Sequence, residues 1–138
     1  MTTLEKIAIQ NETGRIHAEI DIQTEDKLAI ISFLGYQSLN DITNAYSKSF
    51  EILKPQGGAI SRLLLDSTEM KGPFRYDGHW VDDEFLRPFT RIGIKYIALV
   101  VTARIFSELK NQEIFVAETP AKFFTNAGYA RVWLHNKR

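Results

Sequence analysis

Residues Ile97-Ala98-Leu99-Val100-Val101 form an unbroken apolar run, β-branched at three positions and flanked by Tyr96 and Thr102. Five residues are too few to cross a bilayer. The run also has no polar alternate position, so it reads as a strand covered on both faces near the middle of a sheet. Leu63-Leu64-Leu65 reads the same way, and Leu28 to Leu34 more loosely. Helix-like segments separate these three strands, which confines the chain to the α/β class.

The rest of the chain fills in around that frame. Glu5 to Gln10 reads as a short strand, and Ile16 to Ile22 alternates fully: Ile16, Ala18, Ile20 and Ile22 face one way and His17, Glu19 and Asp21 the other. One wet face places that strand near an edge, with His17 in water, and the polar tetrad 24–27 joins it to Leu28–Leu34 as an antiparallel hairpin. Ser38 and Asp41 have capping-box spacing, and Leu39, Ile42, Tyr46, Phe50 and Leu53 recur at helical period, which predicts a helix over 39–53. Pro55 and Gly57-Gly58 end it. A second helix is expected to start near His79 and to be kinked or divided by Pro88, and a third to run from a Thr102 cap to about Ile114. Residues 121–124 read as a short edge strand, followed by a last helix capped by Thr125 or Asn126 that buries Ala130, Trp133 and Leu134. The expectation is therefore one α/β domain over 1–138. It has a mixed sheet of five to six strands, an N-terminal antiparallel hairpin, then β-α units, with four helices mostly on one face.

Composition narrows the function classes. Seventeen basic residues balance seventeen acidic ones, so no overall field draws the chain to nucleic acid or to an anionic membrane. The first 69 positions hold six basic and ten acidic residues and the remainder eleven and seven, a mild asymmetry that names no partner. Without cysteine there is no disulfide, thiolate nucleophile or cysteine-ligated metal. No stretch reads as a signal peptide or a transmembrane segment, which makes the cytoplasm the default location. No Gly-x-Ser-x-Gly elbow or phosphate-binding glycine loop is present, and no cofactor is implied.

Leu63-Leu64-Leu65-Asp66, the glycine-containing loop and aromatic-rich helix after it, the strand Ile97–Val101, and the closing Phe123-Phe124 to Ala130-Arg131-Val132-Trp133-Leu134 together resemble STAS-like single-domain bacterial proteins. These are similar to anti-sigma factor antagonists of the stage II sporulation protein AA type and, more distantly, to CRAL-TRIO lipid-binding domains. The resemblance spans about Ile16 to Leu134. It implies a sheet flanked by helices, no known catalysis for most of this branch, and a role in protein association or in binding small apolar or anionic ligands. The phosphorylatable serine of anti-sigma factor antagonists does not carry over. Asp66-Ser67-Thr68 ends its strand directly and lacks the following glycine, so Ser67 and Thr68 read as loop hydrogen-bonding groups.

Two functional readings follow. Strand alternation puts Leu63, Leu65, Ile97, Leu99 and Val101 on one sheet face and Arg62, Leu64, Tyr96, Ala98 and Val100 on the other, which right-handed crossovers leave short of helices. Arg62 and Tyr96, with the aromatic residues Phe74, Tyr76, Trp80, Phe85 and Phe89, are the candidate contacts of a binding or regulatory domain. Its occupant would be a protein partner, a second copy of the chain, or a small amphipathic ligand held on the sheet face or by the 67–92 segment. The alternative is a divalent-metal-dependent hydrolase built on Asp77, His79 and Asp83: on a helix the last two share a face, and Asp77 adds an oxygen from the turn. Acidic residues in a first helical turn equally suit the helix dipole.

Overall fold

The structure is a computed structural model that describes residues 4–71 and 83–137. Its main sheet has seven strands in the order β1-β2-β3-β5-β7-β9-β8. Strands β1 (Leu4–Gln10), β2 (Ile16–Gln23) and β3 (Leu28–Phe33) form an antiparallel meander, and β3, β5 (Arg62–Asp66), β7 (Tyr96–Val100) and β9 (Thr119–Phe124) run parallel. β8 (Glu113–Val116) closes the far edge antiparallel to β9. Two short strands, β4 (Gly35–Tyr36) and β6 (Met70–Lys71), pair separately. The mixed α/β architecture and the N-terminal hairpin agree with the sequence reading, the sheet being one strand wider than the five to six expected.

Helix α1 (Leu39–Leu53) starts where the capping box predicts. The Asp41 N–H donates to Ser38 Oγ at 3.1 Å and the Ser38 N–H to Asp41 Oδ2 at 3.0 Å, satisfying two of the helix's open donors. Ile42, Ala45, Tyr46 and Leu53 are buried against the sheet, while Leu39, counted in that stripe from spacing, faces solvent at the first turn. α2 (Asp83–Arg91) continues through Pro88 and buries Leu86 and Phe89. α3 (Ala103–Ser107) packs Ile105 and Phe106 on the same core.

These three helices cover the face that carries Ile31, Leu63, Leu65, Ile97, Leu99 and Val101. α4 (Ala127–His135) lies on the opposite face, where Ala130 and Leu134 pack on Leu28, Leu64, Ala98 and Val100. Alternation therefore assigned the strand residues to the correct sides, and the helices do sit mostly on one of them. α4 stands over β5, β7 and β9 and reaches Leu28 at the start of β3, and among the described residues no helix belongs to the outer face of β1 and β2. Among the described residues no helix is long and apolar enough to cross a membrane.

Three local expectations are corrected. The third helix ends at Ser107 rather than near Ile114, and residues 113–116 form β8 instead. Because β8 pairs outside it, β9 is an interior strand rather than an edge. His17, expected on a wet face, is fully buried. Between β1 and β2 the register slips so that Ile9 faces Ala18 and Gln10 faces Ile16. His17 is the extra residue of that bulge, which turns its side chain inward and leaves Ile16 exposed at 48%.

Candidate ligand-binding groove

The residues singled out from sequence fall into three groups. Phe74, Tyr76, Asp77, His79 and Trp80 lie outside the described residues, as does the side chain of Asp83, so the proposed metal triad lies outside them too. Among the described residues no group of three or more His, Cys, Asp or Glu could hold a metal ion. Phe85 and Phe89 belong to the core between α1 and α2: Phe85 stacks on Tyr46 with ring centroids 5.0 Å apart, and Phe89 is buried edge-on to Phe50. Burial among other rings pushes the Tyr46 phenol far above its usual range. Arg62 and Tyr96 lie on the α4 side of the sheet, as alternation required, with Tyr96 edge-on to Trp133 at 6.3 Å beneath the helix.

The bulge at His17 builds a buried polar cluster whose hydrogen-bond roles are fixed by its neighbours. The Gln37 amide nitrogen donates to the His17 carbonyl at 2.6 Å and to the Leu34 carbonyl at 3.2 Å, so its oxygen must face His17 Nδ1, which lies 2.9 Å away and donates. The Asn44 amide nitrogen donates to the Gln10 carbonyl at 3.0 Å and lies 2.9 Å from His17 Nε2, which therefore accepts. Nearby, burial works to raise the Asp41 carboxyl. Hydrogen bonds from the Ser38 backbone and the Asn11 side chain outweigh it and hold the group below its usual range. Arg15 lies 3.5 Å from the same carboxylate. Every ring nitrogen of His17 is engaged, so the cluster ties β1, β2, the β3–α1 connection and α1 together and presents no nucleophile or base.

Open chemistry lies instead beside α4. A groove of about 270 Å³ runs between the C-terminal half of that helix and the leading ends of β3 and β5. Its buried walls are Leu28 and Leu134, and Val132, 59% exposed, stands at its mouth. Asp26, Arg62, Arg131 and His135 complete the lining. Arg62 projects from the first residue of β5 toward α4, and its guanidinium donates to the Asp26 carbonyl at 2.7 Å and the Lys137 carbonyl at 2.9 Å. A cation at that point suits the carbonyl-rich end of α4. Arg131 donates to Gln23 Oε1 at 2.8 Å, and the Gln23 amide in turn donates to Asp21 at 3.4 Å.

Arg62 was nominated from the mixture of charge and apolar residues on one strand face. Leu28, Arg131, Val132 and His135 were not, because the sequence signals that a helix closes the chain without fixing where it crosses the sheet. A larger recess of about 430 Å³ near residues 109–113 is polar and open, and its Lys122 and Glu113 lie 3.7 Å apart as an ion pair. No protein-family model, curated protein or solved structure matches this chain.

Proposed function

We propose that this protein is a non-catalytic binding domain that holds a small amphipathic molecule in the groove between α4 and the leading ends of β3 and β5. The observation that carries the proposal is an apolar hollow of about 270 Å³ on the sheet face that, among the described residues, is covered by one nine-residue helix. Ligand sites in proteins are concave, mostly apolar and trimmed with a few polar groups, and this groove has that make-up at a volume just under the usual lower bound of about 300 Å³. At ~30 Å³ per water the space corresponds to roughly nine waters, enough for a short hydrocarbon chain with one polar head. The parallel order β3-β5-β7-β9, the N-terminal hairpin and the helices set mostly on one face support kinship with STAS-like domains, which belongs to the same proposal.

Octanol is a suitable neutral probe, titrated into isotopically labelled protein and followed by methyl NMR. Saturable shifts confined to Leu28, Val132 and Leu134 are expected, and Val132→Trp, which fills the mouth from an exposed position, abolishes them. Shifts that do not saturate, or that survive the tryptophan unchanged, would overturn the proposal.

A further inference from the structure

We infer that the groove selects a short-chain monocarboxylate over a neutral amphiphile or an inorganic anion, an inference that rests on the binding reading above. Its basis is the way the two arginines are held. Arg62 is fixed by two backbone carbonyls and Arg131 by a side-chain amide oxygen, all neutral acceptors. Among the described residues no carboxylate lies within ion-pair distance of either guanidinium. Surface arginines ordinarily move freely or pair with an acid. Here two guanidiniums without an ion pair are held by neutral acceptors at the rim of an apolar hollow, so an arriving anion has less ordering to impose on them.

The shape of the head group follows from the donors. A guanidinium carries five N–H groups in a planar fork, of which the bonds above use two on Arg62 and one on Arg131. That fork matches a planar carboxylate. Charge at the rim is limited because Asp26 lines the same groove, and its acidic side chain disfavours a second negative charge on the ligand. Leu28, Val132 and Leu134 contribute no polar partner, so the remainder of the molecule is hydrocarbon.

The test compares octanoate, octanol and inorganic phosphate on the intact chain by calorimetry at low ionic strength. Octanoate is expected to bind at least about tenfold more tightly than octanol, the scale of one charge-assisted hydrogen bond. Added salt should narrow that ratio. Arg131→Gln, at an exposed helical position, is expected to bring the octanoate-to-octanol affinity ratio down toward one. Equal affinities for octanoate and octanol would overturn the carboxylate assignment and leave the binding groove intact. Phosphate displacing octanoate at equal concentration would also overturn it. Failure of both amphiphiles to bind would overturn the binding reading itself, a separable result.

Discussion

At the scale of single residues, His17 shows how one inserted position changes the meaning of a pattern. Its neighbours Ala18, Ile20 and Ile22 are buried as alternation requires, and only the bulge opposite Ile9 and Gln10 breaks the period. No glycine or proline marks that bulge, so nothing local announced it. The cluster it creates is sensitive to the loss of one donor. Asn44→Asp leaves both the Gln10 carbonyl and His17 Nε2 facing an acceptor, and it should cost about 2–3 kcal/mol in urea unfolding at pH 8. Ser47→Ala, an exposed neighbour on α1, should stay within about 0.5 kcal/mol of the parent. An Asn44→Asp protein as stable as the parent would contradict the hydrogen-bond roles read from the geometry. Asp41 adds a pH signature. Its carboxyl is held lower in the folded state than in the unfolded chain, so its contribution is present above the unfolded value near pH ~3.9 and is lost as the pH falls through the folded one. Stability should therefore decline on the acid side of about pH 4, and Asp41→Asn should flatten that limb. Unchanged acid limbs in the two proteins would exclude the assignment.

At the scale of elements, legibility tracked how completely each one's signals were local. α1 carries its own cap, its own apolar stripe and its own stop, and its limits coincide with those predicted. The β8–β9 hairpin carries none of these. Ala117 and Glu118 form its turn in left-handed backbone, with φ of 48° and 73°, where Asn-Gly is the usual signal. The apolar residues from Ile105 to Ile114 meanwhile kept a helix-like spacing. Tertiary pairing with β9 decides the outcome there. Two non-glycine residues in left-handed conformation carry strain of about 1–2 kcal/mol each, so Glu118→Gly should raise stability by about 0.5–1 kcal/mol after the extra entropy of the unfolded glycine is offset. Thermal unfolding measures this, and a destabilised variant would show that Glu118 makes a contact worth more than its strain. Gly93 is the converse case. At φ 114° a side chain there would press within 3.1 Å of Gly58 Cα, which explains why a glycine pair lies opposite a third glycine.

At the scale of the whole molecule, alternation in β5 and β7 assigned two chemically different faces, and the described structure places three helices on one and α4 on the other. Among the described residues α4 closes the middle of the second face, from Leu28 of β3 to β9, and leaves the groove along one flank and the outer sides of β1 and β2 without a helix. The groove could not be read beforehand because its lining comes from three distant stretches, 26–28, 62 and 131–135, that meet only when α4 crosses the parallel strands. Of the aromatic residues nominated from sequence, Phe85 and Phe89 serve the opposite core. The most direct measurement is a set of isotope-filtered NOEs between bound octanoate and the methyl groups of the labelled protein. Contacts from the ligand chain to Leu28, Val132 and Leu134 are expected. Contacts confined to Met70, Ile92 or other methyls of the α1–α2 side would place the ligand on the wrong face and contradict the assignment.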